Sequence, residues 1–108
     1  MLKSEHYSIV VYIPKTHLQQ VKKALFQAGA GNIGNYQECC WQVAGAGQFR
    51  PMAGSDAFIG EENKLSTVQE YRVEMICLQQ NIHAVIAALK KSHPYETPAF
   101  HYFPVAID

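Results

Sequence analysis

Hydrophobic and polar residues recur along this chain with two periods, one near two residues and the other near four. Residues 7–13 are mostly β-branched or aromatic and end at Pro14, which predicts a first strand that is largely buried. Because side chains alternate across a strand, its inward face would carry Tyr7, Ile9, Val11 and Ile13.

A first helix is predicted directly after this strand. Its buried stripe would consist of Leu18, Val21, Leu25 and Ala28. Thr16 is the expected N-cap, and Gly29 is the expected stop. Residues 29–34 also spell G-x-G-x-x-G, but a dinucleotide-binding fingerprint must follow a strand and open a helix. Here the glycines follow a helix, which favours a helix stop and a tight turn.

The middle of the chain predicts a second strand and then a long loop. Residues 36–46 alternate well enough for a strand, with Gln37, Cys39, Trp41 and Val43 on one face. Residues 45–60 contain four of the seven glycines and are expected to form the loop, whose far end is a polar turn at residues 61–64. Loops of this length in a small domain are often functional or mobile.

The second half of the chain repeats the strand and helix pattern. Residues 68–78 predict a third strand whose apolar face carries Tyr71, Val73, Met75 and Cys77. Asn81 is the expected cap of a second helix, which Pro94 ends. The buried stripe of this helix would be Ile82, Val85, Ile86 and Leu89. Residues 100–105 are the last predicted strand.

The predicted order of elements is therefore strand, helix, strand, strand, helix, strand. This order is typical of an α+β, ferredoxin-like βαββαβ sandwich, in which a four-stranded antiparallel sheet has two helices on one face. The third strand is charged on its other side, which predicts a sheet face that is open or contacts a partner. At 108 residues, the chain is expected to form a single domain over residues 1–108.

Composition argues against several classes of partner. Nine basic and nine acidic residues are spread along the chain, so there is no basic stripe for nucleic acid. Charged residues make up 17%, below the usual quarter, which indicates that another copy or a partner covers part of the surface. Residues 1–6 lack an apolar signal core, and no apolar run is long enough for a membrane span. Three scattered cysteines are expected to be reduced thiols in the cytoplasm.

Candidate ligand-binding residues lie in the long loop and on the third strand. The Arg50 guanidinium suits phosphate or carboxylate, and Gly45 and Gly47 would let backbone N–H groups approach the same anion. The alternative is a loop that packs against a neighbouring subunit. Three interpretations are open for Arg72 and its flanking glutamates. They are a solvated face, an ion cluster at an interface, and the wall of a ligand cleft. The candidate ligand-binding residues are Gly45, Gly47, Phe49, Arg50, Glu70, Arg72, Glu74 and Tyr95.

The turn at residues 93–98 reads His-Pro-Tyr-Glu-Thr-Pro and is stiff, because its two prolines fix φ. His93 and Glu96 are the candidate metal ligands there. The alternative is that both side chains satisfy backbone groups between a helix and a strand. The chain has no C-x-x-C, H-x-H or H-E-x-x-H motif and no recognisable Ser/His/Asp set, so no catalytic residue is assigned.

Taken in order, several motifs resemble the inserted domain of the YqfO-type proteins, the longer bacterial relatives of the yeast transcription-coactivator-interacting-factor family. The resemblance covers nearly the whole chain and rests on residues 31–36, Cys39, Trp41, residues 45–51, Gly54, residues 59–60, 70–74 and 93–99. The turn at residues 93–98 is also similar to that of the CutA divalent-cation-tolerance proteins, which have a PII-like version of this fold. At residues 54–64 the relatives usually have a further proline and glycine, so the loop tip is expected to differ.

The resemblance implies a PII/CutA-type domain that assembles as trimers, in proteins whose biochemical role is poorly defined. In the longer relatives, the domain that flanks the insert binds a pair of metals. This chain is too short to contain that flanking domain, so the metal-centre activity is not carried over. In PII-type proteins the connection between the second and third strands is a mobile signalling loop, and the long loop lies at the same place.

The expected function is a standalone, non-catalytic, self-associating module for small-ligand binding or regulation. Expected partners are further copies of the chain, with a trimer favoured, and a small anionic ligand or a protein; nucleic acid and membranes are not expected. The residues expected to meet at one cleft between subunits are Arg50, Glu70, Arg72, Glu74, His93 and Glu96. The first alternative is a CutA-type protein that binds a divalent metal, the single cofactor considered. The second is an enzyme with a site at the intersubunit cleft.

Overall fold

The computed structural model describes residues 5–107. Its elements are strand β1 (His6–Pro14), helix α1 (Leu18–Gln27), strands β2 (Trp41–Phe49) and β3 (Ser66–Leu78), helix α2 (Ile82–Ser92) and strand β4 (Phe100–Val105). All pairings are antiparallel, and the strand order across the sheet is β2-β3-β1-β4. The predicted ferredoxin-like α+β fold is confirmed.

The hydrophobic core lies between one face of the sheet and the two helices. Alternate residues of β1 and β3 point into it, and each helix contributes one apolar stripe. The fully buried members from these four elements are Ile9, Val11, Ile13, Leu18, Val21, Leu25, Val73, Met75, Cys77, Ile82, Val85 and Leu89. Both helices therefore cover the same face of the sheet, as the pattern predicts. Burial also raises the pKa of the Cys77 thiol, which stays neutral in the core.

The second strand begins later than predicted. Residues 36–40 lie outside β2, which begins at Trp41. Residues 31–39 instead form a compact turn, in which the Cys39 N–H donates a hydrogen bond to the Gly31 carbonyl at 2.8 Å. The alternation of residues 36–40 was therefore misleading, because a turn supplies their backbone hydrogen bonds.

The second strand also ends later than predicted, so the long loop is shorter. Residues 47–49 were expected in the loop beyond the predicted strand, yet they pair with β3 until Phe49 lies opposite Ser66. Pairing with a long neighbouring strand overrides the weak local propensity. The connection is thus residues 50–65, called the β2–β3 loop below. Its predicted polar turn is present, with Lys64 and Glu61 in an ion pair at 2.8 Å.

Asn81 is the N-cap of helix α2 as predicted, whereas the N-cap of helix α1 is His17 and not Thr16, and the predicted ends of both helices are correct. Neither Thr16 nor Asn81 makes a side-chain capping hydrogen bond, because a short 3-10 turn precedes each helix. Helix α1 ends before Gly29, whose φ of +113° few other residues adopt. Helix α2 ends at Ser92, and His93 is extended, as a residue before proline must be.

The face of the sheet opposite the helices carries large apolar side chains that are exposed in a single chain. Trp41 is 59% exposed, and Val43 and Phe103 are each 45% exposed. Their cross-strand partners include Glu74 and Arg72, so apolar and charged groups share this face. We call this surface the open sheet face. Within residues 5–107, no helix has the length and apolar character that a membrane crossing requires.

Candidate functional site

A cavity of about 420 Å³ lies at the end of the sheet where β2 and β3 meet the loop between them. Its walls come from the end of β2, the β2–β3 loop, β3, and the turn between α2 and β4. The polar and aromatic residues that line it are Gln48, Phe49, Arg50, Ser55, Phe58, Glu70, Tyr95, Glu96 and Thr97. We call it the loop cavity. Five of the residues singled out from the sequence therefore meet in it: Phe49, Arg50, Glu70, Tyr95 and Glu96.

Tyr95 and Glu70 form a hydrogen-bonded pair in the cavity wall. The Tyr95 O–H donates to Glu70 Oε2 at 3.0 Å. Burial, this hydrogen bond and the charge of Glu70 all raise the pKa of Tyr95. The phenol therefore stays protonated, and it remains a hydrogen-bond donor to the carboxylate.

Gly47 is the residue that lets Glu70 reach Tyr95. The Glu70 side chain lies across Gly47 on the neighbouring strand, and a Cβ there would overlap the carboxylate. The glycine thus serves close side-chain approach, a role different from the anion cradle expected from the sequence.

An aromatic row connects the loop to the rest of the domain. The Tyr95 ring lies 6.1 Å from that of Phe49 and 6.4 Å from that of Phe58, measured between centroids. Phe58 also packs perpendicular to the His17 ring, at 5.3 Å. These distances are typical of favourable aromatic contacts, so the loop packs back onto the domain at this end of the sheet.

A backbone hydrogen bond closes the same loop against the α2–β4 turn. The Asp56 N–H donates to Glu96 Oε2 at 3.0 Å. Glu96 therefore has one oxygen bonded to the loop, while its side chain also lines the cavity. This contact and the aromatic row together give the cavity its outer wall.

Two polar groups of the cavity lack partners within residues 5–107. Arg50 makes no hydrogen bond or ion pair there. The Ser55 hydroxyl oxygen is buried and also has no hydrogen-bond partner in this part of the chain. Buried polar groups are nearly always satisfied, so the Ser55 hydroxyl is an exception within residues 5–107.

His93 is buried behind Tyr95, with 5% of its surface exposed. Its Nε2–H donates to the Tyr12 carbonyl at 2.8 Å, and its Nδ1 accepts from the Tyr95 N–H at 3.2 Å. Burial lowers the pKa of His93, against smaller opposing effects of the Tyr12 hydrogen bond and the Glu70 charge. The ring is therefore neutral, and it fixes the backbone of the turn that presents Tyr95.

In this geometry His93 and Glu96 both bond to backbone groups, which is the alternative to metal binding that the sequence left open. Both His93 nitrogens bond to backbone groups, so the Nδ1 lone pair that would bind a metal is already used. Glu96 accepts a hydrogen bond from the loop. Across residues 5–107, no three side chains of His, Cys, Asp or Glu are grouped as a metal site.

Arg72 lies outside the loop cavity, on the open sheet face. Its Nε contacts Glu74 Oε2 at 3.0 Å, its Nη1 donates to the Tyr12 hydroxyl at 3.2 Å, and its guanidinium lies 5.9 Å from the Tyr12 ring centroid. Glu70 points to Tyr95 instead. Arg72 is therefore paired with one carboxylate, where the sequence suggested two.

The single cleft expected from the sequence is divided in one chain. Gly45, Gly47 and Arg72 line a separate depression of about 110 Å³ on the open sheet face. Glu74 lines a third hollow, of about 300 Å³, with Cys39 and Cys40. Only Glu70 is shared between the loop cavity and the depression beside Arg72.

Ser55 and Phe58 were not among the candidate residues. A phenylalanine in a glycine-rich polar segment indicates that the segment packs on something, so Phe58 could have been selected. Ser55 offers no such signal, because its significance depends on burial without a partner.

Comparison with known proteins agrees with the resemblance seen in the motifs. The chain is 45% identical over 100 residues to a protein of Halalkalibacterium halodurans named "GTP cyclohydrolase 1 type 2 homolog". The match covers 93% of this chain and 27% of that protein. No model of a known protein family matches the chain.

Solved structures give the same relationship. A Bacillus cereus protein described as related to NIF3 superposes with a TM-score of 0.81 at 37% identity, over 97% of this chain and 27% of that one. CutA1 of Shewanella sp. SIB1 superposes with a TM-score of 0.69 at 18% identity, over 99% of this chain and 87% of that one. The second similarity concerns the fold alone.

The chain spans about a quarter of the length of the curated relatives it matches. It therefore corresponds to one segment of proteins that contain other segments as well. Similarity to the NIF3-related and YqfO-type proteins is shown at this level, together with a CutA-like fold.

Proposed function

We propose that this chain is a non-catalytic, self-associating module that binds a small ligand in the loop cavity. It would correspond to the inserted PII/CutA-like domain of the YqfO-type proteins and would act in the cytoplasm. The activity named for the longer relatives is not proposed for this segment.

The observation that carries the proposal is the composition of the loop cavity. A volume of about 420 Å³ is within the range of small-molecule sites, which are mostly apolar with a few polar groups. Here Phe49, Phe58 and Tyr95 supply the apolar walls, while Arg50 offers a charged group without a partner in the described chain.

A binding role fits this wall better than catalysis does. In the described part of the cavity wall, the hydroxyl that hydrogen-bonds to a carboxylate is that of Tyr95. The pKa of Tyr95 is raised, which opposes the use of this hydroxyl as a nucleophile. A divalent metal remains the alternative ligand from the sequence, but the bonded nitrogens of His93 do not favour it.

Filling the cavity should abolish binding of an aromatic anion. We expect 8-anilinonaphthalene-1-sulfonate to bind the wild type saturably, with a rise in fluorescence. The Ala57→Trp variant, which places an indole at the cavity wall, should bind it at least about tenfold more weakly, since the ring competes for the same space.

Ala53→Trp is the matched control, because Ala53 lies in the same loop and does not line the cavity. This variant should bind the dye like the wild type. Equal dye binding by both tryptophan variants would remove the loop cavity as the ligand site.

The self-association part of the proposal rests on the open sheet face. Trp41, Val43 and Phe103 are exposed there, on a sheet whose other face is covered by both helices. Antiparallel sheets can leave one face to water, but large apolar groups on that face favour contact with another protein surface. A second copy of the chain is the proposed partner, and a trimer is the favoured assembly.

Charge on this face should separate the copies. We expect light scattering to give the mass of an oligomer for the wild type at micromolar concentration. The double variant Trp41→Glu with Val43→Glu should give the mass of one chain, because burying two new carboxylates at an interface is strongly unfavourable.

Leu65→Glu is the control, since Leu65 is equally exposed but lies in the β2–β3 loop. It should leave the mass unchanged. A wild type that is monomeric under these conditions would contradict self-association, and it would leave the cavity proposal to its own test.

A further inference from the structure

We propose, on the basis of the proposed ligand-binding function, that the ligand of the loop cavity is a small zwitterion with a flat apolar body, of the class of aromatic α-amino acids. Two features of the cavity wall support this class: charges of both signs that form no ion pair with one another in the described chain, and a row of rings.

The charges of the wall do not neutralise one another. Arg50 lines the cavity without an ion pair in the described chain, although Glu70 and Glu96 line the same cavity. Each glutamate uses its Oε2 for a protein donor, Tyr95 O–H in one case and Asp56 N–H in the other. Their Oε1 atoms accept no hydrogen bond within residues 5–107. Glu70 Oε1 lies over Gly47, beside the depression on the open sheet face. The wall of the loop cavity thus carries the Arg50 cation and the Glu96 carboxylate, together with the negative charge of Glu70.

A ligand with a single kind of charge would satisfy this wall poorly. A simple anion would pair with Arg50 but would be repelled by Glu70 and Glu96. A simple amine would pair with a glutamate but would be repelled by Arg50. A molecule that carries a carboxylate and an ammonium group can pair with both signs. Charge complementarity therefore favours a zwitterion over the anion expected from Arg50 alone.

The apolar part of the ligand follows from the rings. Tyr95 lies between Phe49 and Phe58 at centroid distances of 6.1 and 6.4 Å, with tilted planes, so the wall offers ring faces and edges. A flat aromatic side chain can pack on such a row.

Three probes with the same ring separate these contributions. L-Phenylalanine carries both charges, 3-phenylpropionate carries the carboxylate alone, and phenethylamine carries the ammonium alone. Each is titrated calorimetrically into the full chain, and each is also tested for displacement of 8-anilinonaphthalene-1-sulfonate. We expect L-phenylalanine to bind at least about tenfold more tightly than either single-charge probe, since a charged hydrogen bond contributes about 1.5–3 kcal/mol.

Two variants assign the charges to residues. Arg50→Gln should weaken L-phenylalanine about tenfold or more and leave phenethylamine unchanged. Glu96→Gln should weaken L-phenylalanine and leave 3-phenylpropionate unchanged or slightly tighter, because Gln can still accept the Asp56 hydrogen bond. Lys64→Gln is the control, since Lys64 lies in the same loop but pairs with Glu61 away from the cavity.

The outcomes separate this inference from the function on which it rests. If 3-phenylpropionate binds as tightly as L-phenylalanine, or Arg50→Gln changes neither, the zwitterion class is wrong. Cavity binding would survive that result as long as Ala57→Trp still blocks the dye. If Ala57→Trp fails to block the dye, the proposed function itself is overturned.

Discussion

Replacing His93 by alanine is expected to lower the free energy of unfolding by about 2–4 kcal/mol. The ring is 5% exposed and bonds at both nitrogens, to the Tyr12 carbonyl and to the Tyr95 N–H. Alanine would leave a void and two backbone groups without their partners. Chemical denaturation at fixed protein concentration measures the loss, and the fixed concentration matters because self-association also stabilises the fold.

His93 should also make stability depend on pH in a defined direction. Its pKa in the folded state lies below the ordinary histidine value of 6.5, chiefly because of burial. The unfolded chain therefore binds more protons in this range, so stability rises with pH. The contribution is fully present above about pH 6.5 and is lost as the pH falls through the folded-state pKa, by at most about 1.4 kcal/mol per pH unit. Protonation would place a hydrogen on Nδ1, which faces the Tyr95 N–H.

The other ionisable side chains near His93 are Glu70, Tyr95 and His17. His93→Gln tests the specific contribution of His93, because glutamine can donate to the Tyr12 carbonyl but does not titrate. It should remove the His93 part of the pH slope while keeping more stability than His93→Ala. His83→Ala is the control, since His83 is exposed on α2 and should change stability by less than about 0.5 kcal/mol. An unchanged pH slope in His93→Gln would show that another group is responsible.

The fold could be predicted from the sequence because its signals are strong and local. Apolar spacing identified both helices and the buried faces of β1 and β3, and these positions form the core. The prediction failed at the two ends of β2, because residues 36–40 lie outside the strand and pairing with β3 extends it to Phe49. It also failed at the start of the first helix, where a 3-10 turn intervenes and the N-cap is His17 instead of Thr16.

The sequence named some of the residues that line the loop cavity, but not how the candidate residues divide among separate surfaces. Arg50, Glu70 and Tyr95 have the chemistry of binding residues, and the structure brings them to one cavity. The sequence could not show that Glu70 turns toward Tyr95 while Arg72 pairs with Glu74, since both glutamates lie on the same face of one strand. The direction of the Glu70 side chain depends on Gly47 of the neighbouring strand β2, because the absence of a Cβ there leaves room for the carboxylate.

Gly47→Ala is expected to destabilise the protein, whereas Gly45→Ala is not, although both glycines lie in β2 and line the same depression. A Cβ at Gly47 would overlap the Glu70 carboxylate, so the glutamate must move and lose the 3.0 Å bond from Tyr95. We expect a loss of about 1–2 kcal/mol, since hydrogen bonds to charged groups contribute about 1.5–3 kcal/mol and Glu70 can recover some solvation. A Cβ at Gly45 would have nothing within 4 Å. Gly45→Ala should therefore be neutral or stabilise by up to about 1 kcal/mol, because alanine restricts the unfolded chain.

A double-mutant cycle ties the loss at Gly47 to the glutamate. In a Glu70→Ala background the carboxylate is gone, so Gly47→Ala should lose its penalty and behave like Gly45→Ala. The coupling between the two positions should be about 1–2 kcal/mol, a size typical of residues in direct contact. Urea denaturation of the four proteins gives this coupling, and the dye titration reports whether the cavity changes at the same time. A penalty at Gly47 that persists without Glu70 would mean that the strand itself rejects the side chain, and the glycine would then have no part in positioning Glu70 beside Tyr95.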